Sequence, residues 1–444
     1  MKTNKTSVVP KLRFPEFRDG EVWEEKKLID VADKDVKWSF IGGPFGSNLK
    51  ASDYTNKGIR VIQLQNIGDG EFVGDSKIFT SVEKADELLA NNIYPHDIIM
   101  SKMGDPVGRA CLIPDTHSRY VMCSDGIRLV VNEDEYSKYF VYSFINSDTF
   151  RALVESKSTG STRKRIGLSH LKSLSLLIPK LPEQQKIADC LSSLDALINA
   201  ESEQLDTLKE YKAGLLQQLF PAEGETMPGR RFSEFQDDGD WDEVSLIDVT
   251  NSNIKWSFIG GPFGSNLKAS DYTSDGVRVI QLQNIGDGEF VDDSKIYTSK
   301  EKADELLANN IYPNDIIMSK MGDPVGRACI IPDTHERYVM CSDGIRLVVD
   351  EEKYSKYFIY SLINSPFFRS LIESKSTGST RKRIGLSHLK DIQLLAPKLK
   401  EQQKIANCLY SLDNLIQAKD EKIKTLKEHK QGLMQQLFPT MDGE

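Results

Sequence analysis

The densest reactive stretch in the 444-residue sequence is Ser158-Thr159-Gly160-Ser161-Thr162-Arg163-Lys164-Arg165-Ile166-Gly167. Between Glu155 and Lys172, the cations Lys157, Arg163, Lys164, Arg165 and Lys172 stand against a single carboxylate. A Gly/Ser/Thr loop beside Arg-Lys-Arg offers amides, hydroxyls and guanidinium groups, the donors that phosphate oxygens accept from. A solvated charged turn is the structural alternative. Ser161, Thr162, Arg163, Lys164 and Arg165 are the first candidates for nucleic-acid contact. Ser379, Thr380, Arg381, Lys382 and Arg383 join them, because Glu155–Lys172 returns unchanged as Glu373–Lys390.

A second group could read bases. Gln63, Gln65 and Asn66 end an alternating, strand-like run at the turn Gly68-Asp69-Gly70, and Gln281, Gln283 and Asn284 are their copies. Amide side chains can bond adenine through two hydrogen bonds, and Arg can do the same to guanine. Turn capping is the alternative role. Lys102 and Arg109 flank the loop Gly104–Gly108 and Arg128 follows it, with copies Lys320, Arg327 and Arg346. Ser47, Asn48 and Lys50 complete the set at the end of the Gly/Pro-rich loop that starts at Gly42, with copies Ser265, Asn266 and Lys268.

Catalytic chemistry is poorly represented. No GxxxxGK[ST] loop is present for nucleotide hydrolysis, and no Asn-Pro-Pro-aromatic segment for amino methylation. A nuclease-like pattern of Pro332-Asp333 followed by Glu351-Glu352-Lys353 fails in the first half, where Glu135 stands in place of Lys353. His96 becomes Asn314, which argues against an essential base there. His117 with His335, and His170 with His388, persist in both halves but lack metal-ligand spacing, so ordinary imidazoles are expected. Neither a catalytic residue nor a metal site is assigned.

These residues must be held by something, and the sequence supplies it twice. Pro10–Phe220 matches Pro228–Phe438 at a constant offset of 218 with no insertion or deletion, and Lys37–Lys50 recurs unchanged as Lys255–Lys268. Each copy combines a globular part with a long apolar ladder. In the first, Ile187, Leu191, Leu194, Ile198, Glu201, Leu205, Leu208, Lys212, Leu215 and Leu219 step by four and three, a heptad seam that stops at Pro221. The second runs Ile405, Leu409, Leu412, Ile416, Lys419, Ile423, Leu426, Lys430, Leu433, Leu437 and stops at Pro439. A helix of about 38 residues would be ~57 Å long and unstable alone, so the two should pair within the chain. Glu201 and Lys419, the polar interruptions, could fix the register whichever way the helices run.

The globular part reads as a mixed α/β (α+β) domain. Strands are expected near Arg60–Ile67, Asp97–Ser101, Ala110–Ile113, Tyr120–Cys123 and Ile127–Val131, and helices over Lys84–Asn92 and Lys138–Ser156. The segment Pro221–Glu243, with eight acidic residues against Arg230 and Arg231, reads as a solvated connector. The expected layout is residues 1–180, a helix over 181–221, a second domain over 222–398 and a second helix over 399–444.

The net charge of −9 argues against a generally basic nucleic-acid binder but leaves room for a local basic patch. Six cysteines, paired only by the repeat, suit reduced and mostly buried thiols, and no run spans a bilayer, so a soluble cytoplasmic protein is expected.

Three further motifs stand out: Lys11-Leu12-Arg13-Phe14-Pro15-Glu16-Phe17, Leu181-Pro182-Glu183-Gln184-Gln185-Lys186-Ile187-Ala188 and Gly214-Leu215-Leu216-Gln217-Gln218-Leu219-Phe220-Pro221, each with its copy. Together they resemble one family, the specificity (S) subunit of type I restriction-modification systems. The likeness covers nearly the whole chain. The resemblance implies two target-recognition domains with pseudo-twofold symmetry around an antiparallel coiled coil. It also implies double-stranded DNA and two methyltransferase (M) subunits as partners, with restriction (R) subunits where a nuclease is present. S-adenosylmethionine, ATP and Mg²⁺ would act on those partners, none being bound by this chain, and the outcome is DNA methylation and phage defence. Near-identical recognition domains predict an inverted-repeat target, with half-sites about one to one and a half turns of B-DNA apart. Differences such as Lys57 against Asp275 and Gly74 against Asp292 should lie outside base contacts. A stand-alone nuclease or methyltransferase, and a coiled-coil adaptor for proteins only, are the competing readings.

Overall fold

In the computed structural model, residues 9–161, 163–378 and 381–440 are described. Contacts divide the chain into two units, Met1–Glu201 with Glu421–Glu444, and Ser202–Asp420. Each long helix therefore gives one half to each unit.

In the first unit, a five-stranded sheet has the order Tyr54–Thr55, Ile78–Thr80, Ile59–Ile62, Tyr120–Met122, Asn92–Ile93. A four-stranded antiparallel sheet has the order Phe40–Gly42, Gly126–Leu129, Ile98–Ser101, Ala110–Leu112. Ile62, Ile67, Ile93, Ile99, Cys111, Tyr120 and Met122 form the buried layer that joins strands of both sheets. The opposite face of the four-stranded sheet, through Ile98, Met100 and Ile127, packs on Phe140, Phe144 and Phe150. That alternation along Ile98–Ser101 is the period-two pattern of a strand buried on both faces.

A two-stranded ladder, Glu24–Lys27 with Ser175–Ile178, joins the start of the domain to its end. The long helix Leu181–Leu219 follows directly. Its first turns put Ile187, Ala188 and Leu191 into the domain core, together with Leu437 and Phe438 from the end of the other long helix, Leu399–Leu437. Asp195 pairs with Lys430 at 2.6 Å and Glu201 with Lys422 at 2.7 Å, so one residue number rises as the other falls. The pairing is antiparallel.

The second unit repeats these elements in the same order, including the five-stranded and four-stranded sheets. Here Leu215, Leu219 and Phe220 close the domain core beside Ile405, Ala406 and Leu409. Lys212 pairs with Asp413 at 2.5 Å, and Lys419 donates to Gln204 at 2.5 Å, which is again antiparallel. Of the seam positions, Ile187, Leu191, Ile198, Glu201, Leu205, Ile405, Leu409, Leu412 and Ile423 are buried, while Leu194, Leu208, Ile416, Lys419 and Leu426 are half-buried.

Three expected elements come out differently. The helix expected over Lys84–Asn92 is a short helix, Val82–Glu87, followed by a 3-10 turn, Leu89–Asn91, and Asn92 already opens a strand. The strand ends at Ile62, and Leu64–Asn66 turns into a 3-10 helix because the Asn66 Oδ1 accepts from the Gln63 amide at 2.9 Å. The expected single helix over Lys138–Ser156 is two, Lys138–Ile145 and Asp148–Ser156. Ser147 breaks it by capping the second, its hydroxyl accepting from the Phe150 amide. In the second copy Pro366 occupies the first turn after the break, the position where a missing N–H does no harm.

Candidate functional site

The basic loop is folded back as a strand. Lys164–Arg165 pairs antiparallel with Met103–Gly104, and the Ile166 amide donates to the Lys102 carbonyl at 2.9 Å. The loop after Ser101 and the Arg-Lys-Arg segment thus share one surface. Asp125 organises it, accepting from Arg165 Nη2 at 2.8 Å and lying 3.7 Å from Lys102 Nζ. The second copy repeats this with Asp343, 2.5 Å from Arg383 and 3.8 Å from Lys320.

A third element reaches the same place. The Gly43 amide donates to the Gly126 carbonyl at 2.8 Å, and a Cβ on Gly43 would lie 1.8 Å from the Cys123 carbonyl oxygen. Only glycine permits that approach. Ser47, Asn48 and Lys50 follow in this loop and are exposed, as are Ser265, Asn266 and Lys268. In the second unit Asn266, Lys320 and Arg383 line one cleft of about 740 Å³, with Gly260, Phe263 and His388.

The remaining candidates fall elsewhere. Ser161 and Arg163 are exposed, as is Arg381, whereas Thr162, Ser379 and Thr380 lie outside the described residues. Lys164 is held by Glu155, and Lys382 by Glu373 at 2.7 Å, which lowers the net charge presented by the segment. Gln63 and Gln65 sit at the end of the five-stranded sheet, with Gln65 Nε2 donating to Gln63 Oε1 at 3.0 Å and to Ser76 Oγ at 2.5 Å. Gln283 likewise donates to Gln281, at 3.1 Å. Gly74 and Asp292, which differ between copies, lie in this neighbourhood: Gly74 accepts from Arg60 at 2.9 Å, while Asp292 pairs with Arg278.

Two pairs of expected readers are consumed by the fold. Asn66 and Asn284 are fully buried, each side-chain amide donating to carbonyls seven and ten residues ahead. Arg128 and Arg346 are 6% and 5% exposed, with Nε donating to Asp97 and Asp315 at 2.7 Å. A buried cation needs such a partner, and the sequence placed these Arg residues in strands without showing which side they face.

Arg109 and Arg327 are half-buried, each with a buried Nε that has no hydrogen-bond partner. Beside them lie Arg151 and Arg369, which sequence reasoning missed. Burial holds the pKa of Arg151 and Arg369 below the usual guanidinium range, and the neighbouring Arg adds to the effect. Among the described residues no cluster of three or more His, Cys, Asp or Glu has the arrangement of a metal site, and no helix is long and apolar enough to cross a membrane.

Comparison with known proteins finds the same architecture. The family described as "Type I restriction modification DNA specificity domain" matches residues 20–210 and again 239–428. A putative type I restriction enzyme specificity subunit of Methanocaldococcus jannaschii, MjaX, is 26% identical, over 96% of this chain and 95% of its own length. The EcoBI specificity subunit of Escherichia coli is 22% identical, over 81% of this chain and 74% of its own. Among solved structures, the type I restriction-modification S subunit of M. genitalium superposes with a TM-score of 0.58 at 17% identity, covering 98% of this chain and 100% of that one.

Proposed function

The chain belongs to the family of type I restriction-modification DNA specificity subunits, and from that membership we propose that it reads one short DNA word twice, in opposite directions. The observation that carries this is the repetition of the candidate surface. The blocks Lys37–Lys50 and Glu155–Lys172 recur without change, and Asp125 with Arg165 and Lys102 is matched by Asp343 with Arg383 and Lys320. Each recognition domain leads into its own long helix, and the two helices run antiparallel within each unit. Two equal recognition surfaces suit a target in which the same short word occurs twice.

Catalysis falls to partner subunits in this reading. Two methyltransferase subunits would clamp the DNA, with restriction subunits where cleavage occurs, and S-adenosylmethionine, ATP and Mg²⁺ would act there. The chain's own residues select the site: exposed polar groups of the loop Ser47–Lys50 and of Gln65 face bases, and Lys102 and Arg165 face phosphates. An overall charge of −9 fits a division in which partners neutralise most of the phosphates.

Methylation mapping of DNA from cells carrying the system tests the proposal. An inverted repeat with an unread spacer is expected. Two unrelated half-sites would overturn it.

A further inference from the structure

Phe45 and Phe263 each leave 82% of their surface in water, more than any other large apolar side chain among the described residues. Their neighbours do the opposite. Pro44 and Pro262 are buried, and Leu49 and Leu267 are 9% and 8% exposed. The backbone between them is fixed as well. Gly43 is bonded to Gly126 at its base, and a turn is closed from the Asn48 amide to the Phe45 carbonyl at 2.8 Å, with the same distance from Asn266 to Phe263. A ring held out by a clamped loop differs from a stray apolar residue on a surface, because nothing in the fold gains from its exposure.

The surroundings indicate what covers it. Phe263 lines one cleft together with Lys320, Lys375, Arg383 and His388 and with apolar Ile384 and Leu386. Aromatic faces interleaved with cations are how proteins hold unstacked bases while binding the adjoining phosphates. Apolar side chains also enter duplexes between base steps, opening the stack. A protein partner would favour a broad apolar patch, and here a single ring shares its cleft with Lys320, Lys375 and Arg383.

We propose that Phe45 and Phe263 are wedges, each inserting into the duplex and stacking on a base in its half-site while Lys102 and Arg165, or Lys320 and Arg383, hold the flanking phosphates. This rests on the reading of the chain as a DNA specificity subunit. It adds a distortion of the DNA that base-edge contacts alone do not require.

The test uses the full chain assembled with the methyltransferase subunit of its own system, and duplexes carrying the sequence found by methylation mapping. 2-Aminopurine is placed at successive positions of each half-site, since its fluorescence rises when it is unstacked. The parent complex should show a rise at one position per half-site. Phe45→Ala with Phe263→Ala should abolish that rise and weaken site binding roughly five- to a hundredfold. Phe45→Trp with Phe263→Trp should restore both, and its added indole fluorescence should be quenched by the site. Thermal unfolding should be unchanged in either variant, since the rings pack on little.

An alanine variant that keeps both the fluorescence rise and the affinity overturns the wedge and leaves the DNA reading intact. Loss of methyltransferase co-purification with DNA binding retained would make the rings a protein contact instead. A parent complex that prefers its mapped sequence no more than a scrambled one overturns the specificity reading, and the wedge with it.

Discussion

Arg13 and Glu183 lie 170 residues apart and meet through two hydrogen bonds, Nε to Oε1 at 2.7 Å and Nη2 to Oε2 at 2.6 Å. Arg231 and Glu401 repeat the fork at 2.7 Å for both bonds. Trp23 Nε1 also donates to Glu183, at 3.3 Å. The fork ties the lead-in segment to the first turn of the long helix, and its side chains are 7% and 4% exposed. The Glu183 hydrogen bond holds the Arg13 pKa above its usual value. The fork therefore fixes where the helix leaves its domain.

Glu183→Ala should thus be costly, because it strands a largely buried guanidinium and an indole N–H. About 3 kcal/mol of destabilisation is expected, with Glu183→Gln milder. Urea unfolding of both variants measures it. If the alanine variant unfolds at the parent's midpoint, the fork has no structural role.

Asp125 pairs with Arg165 and Lys102, and Asp343 with Arg383 and Lys320, which on the proposed reading restrains cations that meet phosphates. Arg165→Ala with Arg383→Ala should weaken binding across sequences and lower the slope of log affinity against log salt by about one for each phosphate left without its cation. Asp125→Asn with Asp343→Asn should act oppositely, raising binding to non-specific DNA and eroding discrimination. Equal salt slopes in all three proteins would show that these residues do not meet phosphates.

What could be read in advance follows from the physics of each element. The long helices were legible because a seam of four and three repeats for 33 residues between Ile187 and Leu219, and its seam residues are buried or half-buried. The clustering of Lys102 with Arg165 was not, since a strand pair across 60 residues of sequence created it. Arg128 looks like Lys102 in one dimension, yet its strand, Gly126–Leu129, is buried along its whole length. Phe45 gives no signal in one dimension, because an apolar residue beside Gly and Pro reads as a loop anchor. The break at Ser147 was missed, although Pro366 marks it by residue type in the second copy.

Burial pushes the Cys111 and Cys329 thiols from 9.0 up to about 12. An unfolded thiol ionises near 9, so their protonated form contributes its full stability below that pH and loses it as pH rises toward 12. Alkylation of the native protein at about pH 8 should spare both and reach the half-buried Cys190 and Cys408 first. Mass mapping of the labelled cysteines decides it. Equal labelling of all six would mean that the sheet layer around Cys111 opens readily.

Exchanging one reader for the other tests equivalence of the two domains directly. Replacing residues 238–396 by a copy of 20–178 leaves both identical blocks in place and changes every position that differs between the copies, Lys for Asp275 and Gly for Asp292 among them. The methylated sequence should stay the same. Affinity should not: Arg278 loses its carboxylate at Asp292, and a carboxylate at 275 becomes an ammonium group, so the second domain turns more positive. Binding should therefore strengthen at low salt and depend more steeply on it, by the electrostatics of phosphate neutralisation. A changed half-site would place at least one of the positions that differ between the copies at the bases, and the two domains would then be distinct readers.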